Sequence, residues 1–320
     1  MSFASETKNE LSRIMPEKKC CMLAEIAGFI RVCGSVVLQG AGKFKIAAST
    51  ENPAVARHIK ILLREYFNIS AEIEVGQTGN LQKGRYYIIV IGPEQLSEQI
   101  LRETGILGVR EGLNYITDGI YDGLTRKKCC RKAYLRGAFL GAGTMTNPEN
   151  SYQFEIVCGT ETLAADLKKL LNSFVDIHAG KSARRNSYVT YVKDSGMILD
   201  ILAIMGAHSQ YFIYEDVRLR KEMRNEANRR SNCDQANIDK ALSAAERQIE
   251  GIRLIECTVG IDSLPPKLRE MAELRLAHPD LSIAELGELL DPPLKKSGVN
   301  NRLRKIAEIA EREQVEDGDN

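Results

Sequence analysis

Apolar residues recur at helical spacing in two stretches of the chain, and the two stretches also repeat each other in sequence. The residues at steps of three and four are Leu23, Ile26, Ala27 and Ile30 in one and Tyr134, Leu135, Ala138 and Phe139 in the other. Both stretches open on Lys-Lys-Cys-Cys, at Lys18 and at Lys127, and the offset of 109 residues holds without a gap. This pattern predicts two related helices and an internal duplication of the chain.

Each predicted helix carries a glycine in its middle, Gly28 in the first and Gly137 in the second. A glycine inside a helix costs about 1 kcal/mol relative to alanine, and close approach of a second backbone is the usual reason for it. We therefore predict that the two helices pack against each other at these glycines. Gly34 and Gly143 are predicted to end the helices as C-terminal caps.

Alternating apolar and polar positions predict further elements in the same order after each of these helices. The first copy is predicted to have strands at 35–38 and 44–48, a helix at 53–66, strands at 71–75 and 85–91 joined by 76–84, and a helix at 93–104. The second is predicted to have a strand at 152–157, a helix at 160–174, strands at 175–178 and 188–192, and a helix at 196–205. The predicted order in each half is helix, two strands, helix, two strands, helix.

The runs at 26–34 and 135–143 resemble the LAGLIDADG motif of homing endonucleases, which also share this order of elements. The resemblance implies a duplicated αββαββα saddle whose sheets lie over duplex DNA. In that family the last acid of the motif helps to bind the catalytic Mg²⁺, and Cys33 and Ala142 occupy those positions here. Mg²⁺ prefers oxygen ligands, so we expect no catalytic residues. Glu25 is a nearby acid, but it lies about two helical turns before Cys33.

Basic residues in the predicted hairpin loops are candidates for DNA contact by the saddle. They are Arg85, Lys181, Arg184 and Arg185. Side chains there would reach phosphates, and strands are a known means of reading grooves. The sequence leaves open whether the saddle binds DNA or another protein. A run of basic residues at 126–136 is interpreted as a solvated helix face.

A polar, mostly basic helix is predicted at 215–232, followed by a second helix at 236–256. The candidates for nucleic-acid contact in the first of these helices are Arg224, Asn225, Asn228, Arg229 and Asn232. The asparagines and Arg229 recur at steps of three and four, so they share one face of the helix. Asparagine hydrogen-bonds bases and phosphates well. The alternative interpretation is a solvated linker helix with asparagines as caps near its end.

The C-terminal part predicts three short helices, at 267–277, after Ser282 and at 299–309. Ser282 and Glu285 predict a capping box at the start of the second helix. The apolar residues predicted to face inward are Ile283, Leu286, Leu289 and Leu290 in the second helix and Val299, Leu303, Ile306 and Ile309 in the third. This arrangement is typical of a helix-turn-helix, although the turn at 291–297 is longer than the usual three to four residues.

The third helix carries polar and basic residues opposite its apolar stripe. The candidate DNA-binding residues are Lys295, Lys296, Ser297, Asn300, Asn301, Arg302, Arg304 and Lys305. Residues at the start of a recognition helix reach base edges in the major groove, while flanking lysines meet phosphates. The substitution Arg302→Ala is expected to weaken specific binding by about 1–3 kcal/mol. A plain three-helix interaction bundle is the alternative.

Composition changes this interpretation little. The net charge is +1, so overall charge does not indicate a polyanionic partner. No run approaches the roughly 20 apolar residues of a membrane helix, and the start lacks a signal-peptide pattern. We therefore expect a cytoplasmic, nucleoid-associated protein. The adjacent cysteines at 20–21 and 129–130 lack the two-residue gap of zinc ligands, so they are interpreted as packed thiols, and no metal or cofactor is expected.

The run at 224–240 resembles the signature of the WhiA family of bacterial sporulation and cell-division regulators. The residues that carry it are Arg224, Asn225, Asn228, Arg229, Asn232, Cys233, Ala236, Asn237 and Lys240. The resemblance implies a non-catalytic, sequence-specific transcription regulator of cell division and chromosome segregation, and of sporulation where that occurs. Its implied partners are double-stranded DNA and, as a further option, another transcription regulator or division protein. The alternatives are an Mg²⁺-dependent homing-type endonuclease and an adaptor whose saddle binds a protein.

The predicted fold class is α+β, with a duplicated LAGLIDADG-like αββαββα saddle followed by an all-α helix-turn-helix domain. The predicted limits are a lead-in at 1–17, the duplicated domain at 18–210 with repeats at 18–108 and 127–208, basic linker helices at 211–258, the helix-turn-helix domain at 259–312 and an acidic tail at 313–320. Because two repeats already supply a pseudo-twofold axis, a monomer is expected.

Overall fold

The computed structural model describes residues 2–40, 42–77 and 85–318, without the side chains of Gln77 and of 315–318. The chain divides after Lys221 into two compact units. The first unit has one continuous apolar core, and the second has a smaller core of its own. Among the helices in these three ranges, none has the length and apolar character needed to span a membrane.

The first repeat combines four antiparallel strands with the helices that cover one face of the sheet. Its elements are α1 (Phe3–Leu11), α2 (Lys19–Cys33), β1 (Gly34–Leu38), β2 (Phe44–Thr50), α3 (Pro53–Phe67), β3 (Glu72–Gln77), β4 (Arg85–Ile91) and α4 (Ser97–Glu103). The strand order is β1-β2-β4-β3. The Asn52 side chain caps α3 by accepting from the N–H groups of Ala54 and Val55, and Pro53 occupies the first turn as predicted.

A two-stranded hairpin that the sequence analysis missed follows the first repeat. It consists of β5 (Leu107–Arg110) and β6 (Leu113–Ile116). The turn residues Glu111 and Gly112 both have positive φ, 52° and 80°, as a tight two-residue hairpin turn requires. Leu107 is buried in the core, but Val109, Leu113 and Ile116 face solvent, with Leu113 74% exposed.

The second repeat has the same topology as the first. Its elements are α5 (Lys128–Ala142), β7 (Gly143–Met145), β8 (Phe154–Cys158), α6 (Glu161–Asn172), β9 (Gly180–Arg184), β10 (Ser187–Val192) and α7 (Ser195–Met205). The strand order β7-β8-β10-β9 is equivalent to that of the first sheet. The duplicated α+β fold is therefore confirmed.

Helices α2 and α5 pack backbone against backbone at the two predicted glycines. A Cβ atom added to Gly28 would overlap the carbonyl oxygen of Tyr134, and one added to Gly137 would overlap that of Glu25. Both overlaps involve main chain, which cannot rotate out of the way. The close approach of the two helices therefore requires glycine at both positions.

Gly34 and Gly143 end these helices as C-terminal caps, as predicted, but without the left-handed conformation that glycine often adopts there. Their φ values are −85° and −77°, and each residue begins a strand in extended conformation. A Cβ at Gly34 would overlap the carbonyl oxygen of Ile30, and one at Gly143 would overlap the ring of Phe139. Lack of space, rather than backbone conformation, explains glycine there.

Two further expectations in the first unit need correction. No strand forms at 175–178, because Asp176 has a φ of 60° and turns the chain before β9. The helix expected at 93–104 is split into a 3-10 turn and α4 by Leu96, which also has a φ of 60°. The lead-in predicted at 1–17 contains α1, and Ser2 caps this helix by accepting from the Ser5 N–H. Most of the predicted loop at 76–84 lies outside the described residues.

Helix α8 (His208–Thr258) is a single helix of 51 residues. The expected break between two linker helices, and with it the interpretation of the asparagines as caps, is wrong. Every residue from 222 to 243 is exposed, so this part of the helix is solvated on all sides. The side chains of Gln235 and Asp239 support this part at a spacing of four residues, and those of Asp216 and Arg220 do the same just before it.

The second unit contains three more helices, α9 (Pro266–Ala277), α10 (Ile283–Glu288) and α11 (Lys296–Gly318). Its core joins all of them to the end of α8 through Ile252, Ile255, Met271, Leu286, Val299, Leu303 and Ile306. The expectation for Leu289 is wrong, since its side chain is 53% exposed. The acidic segment predicted as a tail from 313 continues α11 through Gly318.

Candidate nucleic-acid interface

Helices α10 and α11 and the segment between them form a helix-turn-helix with an enlarged turn. Ser282 and Glu285 make the predicted capping box at the start of α10. The turn folds back on α10, where the Leu294 N–H donates to the carbonyl oxygen of Gly287 at 2.9 Å. A Cβ at Gly287 would overlap the Leu294 carbonyl oxygen. The long turn is therefore packed against the helix that precedes it.

Most of the candidate DNA-binding residues lie on the exposed side of the first half of α11 or, in the case of Lys295, directly before this helix. Lys295, Lys296, Ser297, Asn300, Asn301, Arg304 and Lys305 are all exposed. They lie opposite the buried residues Val299, Leu303 and Ile306. The Arg304 guanidinium approaches Asn301 Oδ1 at 3.4 Å and Glu308 Oε1 at 3.5 Å, which orients it along the helix. This surface offers amide and guanidinium groups, which are the donors and acceptors that read base edges.

Arg302 does not share this exposure. Its side chain is 19% exposed, its Nη1 lies 3.1 Å from Glu270 Oε2, and it also donates to the carbonyl oxygen of Lys267. The expectation that it lies outside with the other polar residues is therefore wrong. In this structure Arg302 fastens α11 to α9.

Arg275 is a structural residue that the sequence analysis missed. It is 2% exposed, and it donates to Gln248 Oε1 on α8 at 3.0 Å and to the carbonyl oxygen of Leu281 at 2.7 Å. Burial lowers the pKa of its guanidinium. The residue connects α8, α9 and the loop before α10, and so it stabilises the packing of the helix-turn-helix against α8 and α9. In the sequence Arg275 is one basic residue of an amphipathic helix, and nothing in that pattern indicates that its side chain is buried.

The candidates on α8 share an exposed helix face. Asn225, Asn228, Arg229 and Asn232 follow one another at helical steps, and Arg224 lies beside them on the exposed segment. All five candidates therefore lie close together on the solvent-exposed segment of α8 at 222–243.

The saddle candidates are arranged less favourably for DNA. Lys181 lies on the helix-covered side of its strand and pairs with Glu161 at 2.6 Å. Arg184 lies on the open side, but it pairs with Glu155 at 2.5 Å. Both residues belong to β9, so the expectation that they occupy a loop is wrong. Arg185 is exposed in the turn, and Arg85 is exposed at the start of β4.

The open face of the first sheet is not basic. The strand register places Glu72 and Glu74 of β3 on the same side as Val90 and Ile88 of β4, away from the helices. Lys45 is a basic residue on that side. Acidic and apolar side chains therefore cover much of the surface that would face DNA in a saddle.

The ends of α2 and α5 that correspond to the LAGLIDADG motif acids line a cavity of about 820 Å³. Cys33 donates to the carbonyl oxygen of Phe29 at 3.1 Å, and burial raises the pKa of its thiol to about 12. Lys8 of α1 lines the same cavity, and burial lowers its pKa while Cys33 and Glu51 oppose that shift. Glu51 also lines the cavity, but one carboxylate beside an ammonium group and a protonated thiol does not make a site for Mg²⁺.

Glu25, the acid that a nuclease would have to recruit, is fully buried and already paired. Its carboxylate lies 2.8 Å from His58 Nε2 and 2.5 Å from Arg136 Nη2. Arg136 is itself 8% exposed, so the interpretation of the whole basic run at 126–136 as solvated is wrong for this residue. The network joins α2, α3 and α5 inside the core.

Four cysteines converge although they form two adjacent pairs in the sequence. The sulfur atoms of Cys20, Cys21, Cys129 and Cys130 all lie within 4.8 Å of one another. The sequence-based argument against a metal site considered each adjacent pair alone. In the structure the two helices bring the pairs together.

The fold defines a class: a duplicated LAGLIDADG-like domain joined to a helix-turn-helix domain. Sequence models of the WhiA N-terminal LAGLIDADG-like domain, the WhiA LAGLIDADG-like domain and the WhiA C-terminal HTH domain match residues 19–107, 131–224 and 227–310. The chain belongs to the WhiA family, as the sequence resemblance predicted.

Individual relatives agree with this assignment over nearly the whole chain. The probable cell division protein WhiA of Alkaliphilus metalliredigens is 44% identical over 313 residues, and that of Thermoanaerobacter pseudethanolicus is 45% identical over 312, with 98% of each chain covered in both cases. The crystal structure of full-length DUF199/WhiA from Thermatoga maritima is 28% identical, with a TM-score of 0.59 and coverage of 98% of this chain and 99% of that one.

Proposed function

We propose that this protein is a sequence-specific DNA-binding transcription regulator without catalytic activity, which acts in bacterial cell division. Chromosome segregation, and sporulation where it occurs, are included in the proposal. The observation that carries it is the exposed polar face of α11 within a helix-turn-helix domain. The names of the relatives, probable cell division proteins, support the cellular role.

In this proposal α11 enters the major groove with its N-terminal half. Asn300, Asn301 and Arg304 contact base edges, because asparagine amides match adenine and guanidinium groups match guanine. Lys295, Lys296, Ser297 and Lys305 contact phosphates on either side. Arg302 takes part mainly by holding α11 on α9 through Glu270.

The exposed face of α8 supplies a second proposed contact. Arg224 and Arg229 contact phosphates, and Asn225, Asn228 and Asn232 hydrogen-bond the same backbone. This face, from Arg224 to Asn232, spans about 12 Å along the helix axis. Contacts of this kind add affinity without sequence preference, and they make binding sensitive to salt.

The absence of catalysis is argued from four side chains. Cys33 and Ala142 stand at the motif-acid positions, and Lys8 adds an ammonium group to the cavity there. Glu25 is sequestered with His58 and Arg136. Recruitment of Glu25 to a metal would break a buried ion pair, which costs roughly 3–5 kcal/mol.

An adaptor function is the second candidate, and the exposed apolar surface of the β5–β6 hairpin favours it. Val109, Leu113 and Ile116 are each more than half exposed. Another transcription regulator or a division protein is the proposed partner class. In an adaptor the saddle contributes little to DNA affinity, because Lys181 and Arg184 are already in ion pairs.

The test is recovery of sheared genomic DNA from the source organism by the full-length protein, with Mg²⁺ at near-physiological salt. Recovered fragments are sequenced and sized. Intact fragments that share a short motif are the expected result. The variant Asn300→Ala/Arg304→Ala should lose the shared motif, whereas Glu311→Ala, an exposed change later in the same helix, should keep it.

Two results contradict the proposal in different ways. Fragments newly cut at one position would identify a nuclease despite Cys33 and Ala142. Weak recovery without a shared motif would contradict sequence-specific binding and favour the adaptor function. The partner of the adaptor would then be sought at the saddle.

The domain limits at 210, 258 and 312 and the monomeric state also stay proposals. Sedimentation of the full-length protein checks the monomer. Fluorescence microscopy of a tagged chain in its own cells checks nucleoid association, which follows from DNA binding.

A further inference from the structure

The first turns of α2 and α5 place four thiols at one point of the first unit. Cys20 and Cys21 come from α2, and Cys129 and Cys130 come from α5. The sulfur atoms of all four lie within 4.8 Å of one another, and the neighbours Cys129 and Cys130 have their sulfurs 4.0 Å apart. No disulfide joins any of them.

The helix pair explains why these thiols meet. Gly28 packs on the backbone of Tyr134, and Gly137 packs on that of Glu25, so equivalent positions of the repeats lie side by side about a pseudo-twofold axis. The Lys-Lys-Cys-Cys run opens both helices. Duplication and close helix packing together therefore turn two adjacent pairs into one group of four.

The distances suit a tetrahedral cation with thiolate ligands. Zn–S bonds of about 2.3 Å place the sulfurs of a tetrahedral site about 3.8 Å apart. The pair at 4.0 Å is already close to that value, and small rotations about χ1 bring the more distant sulfurs in. Four sulfur donors favour soft or borderline cations over Mg²⁺ and Ca²⁺, which take oxygen.

Charge around the group suits thiolates as well. Lys18 and Lys127 are the N-cap residues, and neither makes a side-chain cap. The four thiols lie in the first turns of the two helices, which are the positive ends of their dipoles. A bound cation would replace the protons of the buried thiols.

We propose that Cys20, Cys21, Cys129 and Cys130 form a binding site for a single Zn²⁺ ion. The site joins the first turns of α2 and α5, and so it fastens the two repeats to each other. It lies about 18 Å along α2 from Cys33, at the opposite end of the helix pair from the cavity that corresponds to a nuclease centre. Its role is structural, because four protein ligands leave no open position.

In the test, the full-length protein is first purified under reducing conditions without chelator. Its metal content is then measured by inductively coupled plasma mass spectrometry. About one zinc per chain is expected. Chelator-treated protein is then titrated with Co²⁺, for which tetrahedral thiolate ligation gives intense visible absorption and a sulfur-to-metal charge-transfer band. Zn²⁺ should displace Co²⁺ and abolish both signals.

Matched variants separate this site from thiol chemistry elsewhere. Cys21→Ser and Cys129→Ser should each lose zinc and the cobalt spectrum, while Cys233→Ser/Cys257→Ser, which removes two exposed thiols of α8, should keep both. Added Zn²⁺ should raise the Tm of the chelator-treated native sequence and of this control. It should not raise the Tm of Cys129→Ser. If a serine variant does not fold, the cobalt spectrum of the native sequence still decides.

Three outcomes overturn the proposal. One is protein without zinc that gives no cobalt spectrum while its thiols are reduced. Another is a disulfide between the helices in protein purified without reductant, with no metal uptake after reduction, which would make the group a redox pair. The third is iron with acid-labile sulfide in place of zinc.

Discussion

Arg136 of α5 donates from Nε and Nη2 to one carboxylate oxygen of Glu25 in α2, at 3.0 Å and 2.5 Å. The other carboxylate oxygen of Glu25 lies 2.8 Å from His58 Nε2. Glu25 and His58 are almost completely buried, and Arg136 is nearly so. A single acid therefore connects both repeats at the centre of the helix pair.

Removal of one partner of this ion pair should strongly destabilise the protein. Arg136→Met leaves Glu25 charged and buried without its guanidinium, and such a loss costs about 3–5 kcal/mol. Urea unfolding followed by circular dichroism measures the change. The control is Arg102→Met, which breaks an exposed pair with Glu98 and should cost no more than about 1 kcal/mol. Equal effects of the two substitutions would show that the network does not hold the repeats together.

The glycines of the helix pair predict a second effect on stability. Gly28→Ala forces a methyl group into the Tyr134 carbonyl oxygen, and Gly137→Ala does the same at Glu25. Overpacking of this kind typically costs about 1–3 kcal/mol, although alanine is the better helix former. Gly159→Ala is the matched control, because a Cβ there meets nothing within 4 Å. Thermal unfolding should separate the first two variants from the third, and unchanged Tm values for all three would contradict the observed packing.

The helix pair and the helix-turn-helix could be predicted because their signals are local. Mid-helix glycines in a repeated run indicate close packing, and Ser282 with Glu285 marks a helix start. The continuity of α8 could not be predicted so easily, because its asparagines fit a cap as well as a helix interior.

Other errors came from interactions that depend on tertiary structure. Arg136 belongs to a run of basic residues, and only the packing of α2 against α5 shows that it is buried. Lys181 and Arg184 lie on opposite sides of the sheet because of the strand register, and a shift of one residue would exchange the two sides. The four thiols meet because the two repeats do. Each case requires knowledge of which residues oppose one another across separate elements.

Arg304 and Arg302 should behave differently although they are two residues apart. Arg304 is exposed, so Arg304→Ala should weaken binding to the specific target by about 1–3 kcal/mol and leave unfolding unchanged. Arg302→Ala removes the pair with Glu270 and should lower stability by up to about 1 kcal/mol. Its effect on the ratio of specific to random DNA affinity should be smaller than that of Arg304→Ala. Fluorescence anisotropy with both DNAs measures this ratio, and the reverse ranking would return Arg302 to the base-contacting set.

Lys295 and Lys296 should contribute to affinity through phosphates alone. Replacement of both by alanine should weaken specific and random DNA alike, and it should lower the slope of log K against log salt by about 0.9 for each phosphate that is no longer neutralised. Titrations at several salt concentrations measure that slope. Lys43→Ala, an exposed lysine between β1 and β2, provides the control for net charge. A weakening confined to the specific target would instead assign base contacts to these lysines.

The enlarged turn predicts opposite effects for two glycines that flank it. Gly287→Ala places a methyl group against the carbonyl oxygen of Leu294, so the turn must move away from α10. Gly298 lies in the first turn of α11, and its added Cβ would find Leu294 at an ordinary distance of 3.6 Å. Since alanine favours a helix by about 0.5–1 kcal/mol, Gly298→Ala should stabilise the domain. Hydrogen exchange in the full-length protein should show faster exchange of α10 and α11 in the first variant and slower exchange in the second. Faster exchange in both variants would contradict the prediction for Gly298→Ala. It would mean that Gly298, like Gly287, is required by the local structure.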